Sequence, residues 1–299
     1  AKGCDLDLFL DLNDQVPSVS DGKKNKVKKL ARAITASPRF INTLTIPSNR
    51  CPVVRFAHKA TGIKCDLSVN NRKALHNSYL LRLYSSEPRV HKLVSIVRLW
   101  ARTMGLAGST SMAHLLTSYS ITLIVLFFVM HRKPHIVPLV CDIEKFVKGT
   151  RSEVVDDWEC ITIPADAKLP PSENKDSEVE LVKEFFAFCS GSIDWDLDAL
   201  VMKDATKIPR SEISQNPIYI GCKAACLTVL DPFVLTHNVV GNVNEKTKLK
   251  FVAELKRAAE MTREWPSNII KSDSAPWGLA ALLVPSLEDT TNVQGKKAA

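Results

Sequence analysis

Apolar and polar residues alternate near the start of this chain, with one exception at Phe9. In GCDLDLFLDL (residues 3–12), Leu6, Leu8, Leu10 and Leu12 share one face of an extended segment, and Asp5, Asp7, Phe9 and Asp11 share the other. The leucine face reads as core, whereas a carboxylate face needs water or a cation. Two further runs, CPVVRFAH (51–58) and IKCDLSV (63–69), read as strands joined through Thr61-Gly62 as a hairpin. Before them, KKNKVKKLARAI (23–34) predicts a short basic helix, whose charge reads as a solvated face ahead of an RNA contact.

Further on, the rhythm changes from two to three and four. Val90, Leu93, Val94, Val97, Trp100, Ala101 and Met104 predict a helix that stops at Gly105. Residues 117–131 predict a second, 178–191 (EVELVKEFFAFCSG) a third that ends at Gly191, and 246–265 a fourth, amphipathic and basic. A polar, proline-containing stretch around PADAKLPPSENKDS reads as a surface linker, and no internal repeat is present. The outline is an α+β chain: a small mixed unit, then a mostly helical one.

Composition narrows the class. With 299 residues, 45% hydrophobic, the chain is long enough for one large or two ordinary domains. A net charge of +8 suits a polyanionic partner, nucleic acid first, although charge alone discriminates weakly. Cys4, Cys51, Cys65, Cys141, Cys160, Cys189, Cys222 and Cys226 include no CxxC pair; Cys222 and Cys226 lack a second pair at zinc spacing, so the set reads as reduced thiols. SYSITLIVLFFVM (118–130) is too short to cross a bilayer and reads as a buried helix, so no membrane partner is expected. The chain opens on Ala1 without an initiator Met, which reads as a cut point.

The chemistry concentrates on three carboxylates. Asp5 and Asp7 project side by side from one strand, and Asp66 lies in KCDLSV on another, also flanked by apolar residues. If the two strands are neighbours, the three converge. Such a cluster repels itself unless a cation neutralises it, and a hard divalent ion that prefers oxygen, Mg²⁺ with Mn²⁺ as a substitute, is the natural occupant. Asp11, nearer the strand end, reads as solvated.

Five ordered blocks then carry a resemblance: GCDLDLFLDL, CPVVRFAHKATGIKCDLSVNNRKALHNS, VRLWARTMGL, SYSITLIVLFF and DPFVLTHNVVGNV. Together they resemble the non-canonical poly(A) polymerase and terminal uridylyltransferase family of the nucleotidyltransferase superfamily, from residue 3 to about 285. A nuclear and a mitochondrial branch are the most similar, with the nuclear one first. The resemblance implies a mixed-sheet catalytic domain (1–72), a helical central domain (73–285) with a poly(A)-polymerase-associated segment at about 178–240, a tail (286–299), and an active site in the cleft between the domains. It implies Asp5, Asp7 and Asp66 as the catalytic, metal-binding triad, and Asn71 as reader of the ribose hydroxyl. Arg98 and Arg102 would hold the triphosphate, where relatives commonly carry lysine. Ser118 would touch a phosphate and Tyr119 stack on the base. Asp231 and His237, in DPFVLTH, would form the base-recognition segment, with His237 favouring UTP over ATP; Val234 departs from the acidic residue usual there.

The implied activity is template-independent addition of ribonucleotides to an RNA 3′ end by attack of the 3′ hydroxyl on the α-phosphate of UTP or ATP at two Mg²⁺ ions. The implied compartment is the nucleus, with the mitochondrion the alternative. The rival readings are an ATP-using mitochondrial type, a catalytically silent RNA-binding scaffold on the same fold, and transfer to a small-molecule or protein acceptor. In the family a Gly-Ser phosphate-binding turn precedes the D-x-D strand. It would lie upstream of Ala1, so residues 1–299 alone are expected to transfer nucleotides poorly.

Overall fold

The computed structural model of the chain describes residues 6–12, 20–47, 51–108, 114–223, 225–265 and 278–284, with backbone only for 20–24. Two compact units result: residues 1–78 with 153–161, and residues 79–152 with 162–299.

In the first unit, β1 (Leu6–Leu10) leads to α1 (Ser20–Ala36), followed by β2 (Phe40–Ile46), β3 (Val53–His58), β4 (Lys64–Val69) and α2 (Arg72–Tyr84), which belongs to the second unit from Tyr79 on. The sheet order is β1-β4-β3-β2, with β1 parallel to β4 and the other pairs antiparallel. The expected hairpin forms between β3 and β4, and Gly62 takes φ +69°, a conformation that costs a residue with a Cβ. One sheet face is covered by α1: Val54, Phe56, Cys65 and Val69 bury against Val27, Ala31 and Ile34, with Leu8, Leu30, Phe40 and Leu67 packed at the margin. Truncating the buried Phe56 to Ala would cost about 3–5 kcal/mol.

The leucine face of β1 is only partly core. Leu8 packs inside, but Leu6 and Leu12 stay 49% and 39% exposed, because β1 is short and ends the sheet. Strand β2 had no clean alternation to announce it. Asn42 (φ +56°) sits where the pairing slips between Ile41 and Leu44, so the period of two breaks mid-strand. Helix α2 escaped notice because a polar residue, His76, holds a buried position on the apolar face that Leu80, Leu83 and Tyr84 continue.

The second unit carries α3 (Pro88–Thr103), α4 (Ser118–His131), the one-turn α5 (Ile143–Phe146) and the edges of a hairpin formed by β5 (Arg151–Val155) and β6 (Trp158–Thr162). The rest of that hairpin belongs to the first unit, where His76 pairs with Glu153 at 2.9 Å and meets the Ile161 carbonyl at 3.0 Å. Asp156 and Asp157 make its two-residue turn with φ of +47° and +68°. Then come α6 (Glu178–Gly191), β7 (Asp198–Val201), β8 (Thr206–Pro209), the one-turn α7 (Arg210–Ile213), β9 (Val229–Leu230), α8 (Glu245–Arg263) and the one-turn α9 (Leu279–Leu282). Strand β7 lies between antiparallel β8 and parallel β9.

Helix α4 is buried from Ser120 through Met130, as its all-round apolar sequence requires, and a Thr117–Ser120 capping box starts it. Helix α3 packs on α4, and α6 packs on α8. Trp100, Tyr84, Phe127, Phe128, Phe185 and Phe186 supply the largest buried side chains, with Trp100 edge-on to Phe186 at 4.9 Å. Among the described residues, no helix is long and apolar enough to cross a membrane. Residues 163–177 form no helix or strand, matching the linker reading. They are nonetheless tied down: Arg132 grips Asp176 at 2.6 Å, and Arg89 donates to the Asn174 carbonyl at 3.0 Å.

Candidate active site

In the first unit, the register of β1 and β4 decides the geometry. Asp7 is the direct partner of Asp66, and parallel partners project from the same face of a sheet. Arg55 on β3 is in turn the partner of Asp66. One row across the sheet therefore reads Asp7, Asp66, Arg55, on the face opposite the α1-covered core. Arg55 holds Asp66 with a two-pronged contact, Nε to Oδ1 at 2.7 Å and Nη2 to Oδ2 at 2.6 Å. Asp7 is exposed, and Asp66 is 17% exposed at its side chain. Asp5 lies outside the described residues.

The residues fit a divalent cation. Two carboxylates stand in adjacent register positions on one face, the donors are all oxygen, and the Arg55 guanidinium already supplies positive charge to one of them. Arg55 was not anticipated from sequence. Its only signal is a lone charge in the apolar run VVRFA, and its meaning depends on strand register. Asp11, expected to be solvated, is exposed but pairs with Arg72 at 3.0 Å.

Asn71 is half-buried just before α2, where its Nδ2 donates to Cys51 Sγ at 3.1 Å and its carbonyl accepts from the Ala74 amide at 3.1 Å. Its neighbour Asn70 makes the turn. It takes φ +49°, donates its amide to the Leu10 carbonyl, and accepts from the Leu12 amide at its Oδ1 (both 2.9 Å), which extends the β1–β4 pairing.

In the second unit, Arg98 and Arg102 lie one turn apart on α3, exposed, with His91 and Ser95 on the same stripe. Val90, Leu93, Val94, Val97, Trp100 and Ala101 bury the opposite face. Among the described residues, neither arginine pairs with a carboxylate. Ser118 is exposed at the first position of α4 and Tyr119 follows, half-buried.

DPFVLTH closes on itself. The Asp231 amide donates to the His237 carbonyl at 2.9 Å, and the His237 amide donates to the Val234 carbonyl at 2.8 Å. Asp231 is 1% exposed and organises what surrounds it. Its Oδ1 accepts from the Phe233 and Val234 amides at 3.0 and 3.1 Å; its Oδ2 accepts from the Tyr119 hydroxyl at 3.1 Å and faces His237 Nδ1 at 3.4 Å. Burial alone would push this carboxyl up, but the bonds from His237, Val234 and Phe233 outweigh it and hold its pKa below the ordinary value. An ionised carboxylate only accepts, so His237 must carry its proton on Nδ1, which leaves Nε2 as the atom it can offer elsewhere. Asn238 braces the loop from below: buried, it accepts from the Val229 amide at 3.1 Å and donates to the Leu227 carbonyl at 2.7 Å. The sequence reading did not single it out, since a buried asparagine leaves no periodic trace.

A mixed sheet with paired carboxylates in register, followed by a helical unit, defines the class: a nucleotidyltransferase fold. Residues 1–86 match the family described as the central palm domain of mitochondrial-like poly(A) RNA polymerase. By sequence and fold the chain is similar to the poly(A) polymerases of the nucleotidyltransferase superfamily. It is 37% identical over 245 residues to the speckle targeted PIP5K1A-regulated poly(A) polymerase of Xenopus tropicalis, covering 81% of this chain and 29% of that protein. It is 30% identical over 319 residues to the human mitochondrial poly(A) RNA polymerase, covering 99% of this chain and 52% of that protein. The crystal structure of mtPAP in complex with ATPγS is similar with a TM-score of 0.79 at 27% identity, over 95% of this chain and 61% of that one. The Cid1 poly(U) polymerase, at 22% identity and a TM-score of 0.72, shares the fold. The chain thus spans from 29% to 52% of the length of these two curated relatives.

Proposed function

We propose that the protein is an RNA 3′-terminal nucleotidyltransferase that adds ribonucleotides without a template. The observation that supports this most directly is the register that sets Asp7 beside Asp66 on one sheet face, in a chain whose relatives are poly(A) polymerases. Residues 1–72 are assigned as the catalytic domain, 73–285 as the central domain with its associated segment at about 178–240, and 286–299 as a tail.

Asp5, Asp7 and Asp66 would hold Mg²⁺, or Mn²⁺ in its place. Bound there, the ion supplies positive charge to triphosphate oxygens and lowers the pKa of a hydroxyl. The remaining work falls to the chain. Asp66 is assigned to assist removal of the RNA 3′-hydroxyl proton, for which Arg55 must first let go of at least one carboxylate oxygen. Arg98 and Arg102 are assigned to the triphosphate, where the guanidinium fork suits phosphate oxygens. Ser118 adds a hydroxyl at the start of α4, where the helix dipole favours a phosphate. Asn71 is assigned to the ribose hydroxyl, which separates ribonucleotides from deoxyribonucleotides. The Tyr119 ring would stack on the base, its hydroxyl anchored on Asp231. Asp231 itself is a positioning residue. Pyrophosphate is the leaving group.

His237 is the proposed base reader. With Nδ1 committed to Asp231, its Nε2 is an acceptor in the neutral ring, which matches the N3–H of uracil, and the ring crowds the larger adenine. UTP is therefore the preferred triphosphate. A second reading, ATP, is favoured by the relatives, which are named as poly(A) polymerases. The nuclear assignment rests on the higher identity to the speckle-targeted relative, and a tagged protein found in mitochondria would overturn it.

The test is to incubate the full-length protein with labelled RNA, Mg²⁺ and each triphosphate separately. Extension with UTP above ATP supports the proposal in full, and extension with ATP alone supports the class but not His237. No extension with any of the four leaves the silent scaffold. Extension of a small-molecule or protein acceptor in place of RNA would also overturn it.

A further inference from the structure

The positive charge of this chain is concentrated in one place. Residues 22–65 hold eleven lysines and arginines and no aspartate or glutamate. With 32 acidic residues in 299, an average stretch of that length would hold about five. Removing those eleven from 40 basic residues leaves 29 against 32 acidic, so the rest of the chain is net −3. The whole basic excess sits in this segment: six of the eleven in α1, Arg55 on β3, Lys64 at the start of β4, and the other three in the links.

The fold turns that segment into a groove. Between α1 and β2 lies an open depression of about 490 Å³, lined by Lys28, Ala31, Arg32, Thr35, Ala36, Thr43 and Thr45. Lys28 and Arg32 are one turn apart on α1, both exposed, and in sequence Lys24 continues the four-residue spacing. Thr45 pairs with Val54, whose side chain faces α1, so Thr43 and Thr45 lie on the helix side of the sheet. This is the face opposite Asp7, Asp66 and Arg55. Strand β2 ends the sheet, and among the described residues no strand pairs with its outer edge. Among the described residues, no carboxylate pairs with Lys28 or Arg32 either.

We propose that the α1–β2 groove is an accessory RNA site, which takes the phosphate backbone upstream of the 3′ end. Two cations at helical spacing match successive phosphates, and the threonine hydroxyls add uncharged hydrogen bonds. Apolar alanines form part of the floor and no aromatic ring lines the groove to stack a base, so the site takes the backbone with little regard to sequence. Placed on the back of the sheet, it serves only RNA long enough to pass from the catalytic face around an edge. It therefore distinguishes long substrates from short primers. This rests on the RNA reading above.

The test is the Lys28→Glu/Arg32→Glu double variant of the full-length protein. Both side chains are exposed, so folding should survive and circular dichroism checks it. Affinity for a 5-nucleotide and a 40-nucleotide RNA is measured across salt, with extension of the 5-nucleotide primer as a control. We expect unchanged binding and extension of the short RNA, and at least tenfold weaker binding of the long one. The log–log salt slope for the long RNA should shrink by about 1.4, for two phosphate contacts on a single strand. Unchanged long-RNA affinity and slope would overturn the proposal, while short-primer extension left intact would keep the transferase reading. Conversely, wild-type protein that extends nothing, yet loses long-RNA affinity in the variant, would keep the groove and sink the transferase. If long-RNA binding is unaffected but binding of a polyglutamate peptide is lost, the groove belongs to an acidic protein segment and the RNA assignment fails.

Discussion

Arg55 competes with any cation that binds Asp66, and replacing it by Met should make the site bind metal more tightly. Its guanidinium meets Asp66 at 2.6 and 2.7 Å, which puts the charge centres about 4 Å apart and gives a gross attraction of about 4 kcal/mol at an effective dielectric of 20. Arg55 is 37% exposed, so hydration and screening reduce this to about 1 kcal/mol net. A metal ion that no longer has to displace it should bind about fivefold more tightly. Losing the guanidinium also removes a positive charge from beside Asp66, whose register partner Asp7 is a second carboxylate on the same face. The metal-free variant should therefore melt about 2–4 °C lower, and saturating Mg²⁺ should restore much of that. The assay is Mn²⁺ titration by electron paramagnetic resonance on metal-stripped protein, with Asp66→Asn to identify the site. Arg55→Lys, which keeps charge but loses the fork, should fall between wild type and Met. Weaker or unchanged Mn²⁺ affinity in Arg55→Met would refute the competition and recast Arg55 as a clamp that holds Asp66 ready to ligate.

Three further outcomes follow from the second unit. His237→Leu should lower the ratio of UTP to ATP incorporation by about tenfold or more, measured under competition, because one polar contact and its steric bulk are lost together. Asp231→Asn keeps an acceptor for the Phe233 and Val234 amides but cannot accept fully from both Tyr119 and His237; it should destabilise the protein by about 1–3 kcal/mol in denaturant titration and raise the KM for the triphosphate. Because the folded-state pKa of Asp231 lies below its unfolded value near 4, its stabilising effect is complete above that value and disappears as pH falls through the folded pKa. Wild type should therefore lose stability below about pH 4 more steeply than Asp231→Asn does in parallel melts.

What was legible in the sequence tracks how local the cause is. The third predicted helix has the bounds expected, 178–191, because Ser177 caps it, Glu180 completes the capping box, and the apolar rhythm is unbroken. The second begins within a residue of its predicted start, since its cap is also written locally. The β3–β4 hairpin is likewise announced by Thr61-Gly62. By contrast, β2 is interrupted by the irregularity at Asn42, α2 by the buried His76, and β7 to β9 are four residues or fewer. In the site, the sequence pointed to Asp7 and Asp66 as a conditional pair, dependent on their strands being neighbours, and they are. It did not reveal Arg55, which lies eleven residues before Asp66 and gains meaning only from antiparallel register. Asp231 is expected among the nucleotide-binding residues, and its burial and its bonds with Tyr119, His237 and the Phe233 and Val234 amides suit one that acts there by aiming Tyr119 and His237.

In the proposed reaction Asp7 and Asp66 act together in nucleotide transfer to RNA. The direct measurement is single-turnover extension of a labelled RNA by full-length wild type, Asp7→Asn and Asp66→Asn at saturating Mg²⁺ and triphosphate, with RNA affinity recorded for each. Either substitution should abolish extension while RNA affinity stays within about twofold of wild type. Extension at wild-type rate by either variant would contradict this.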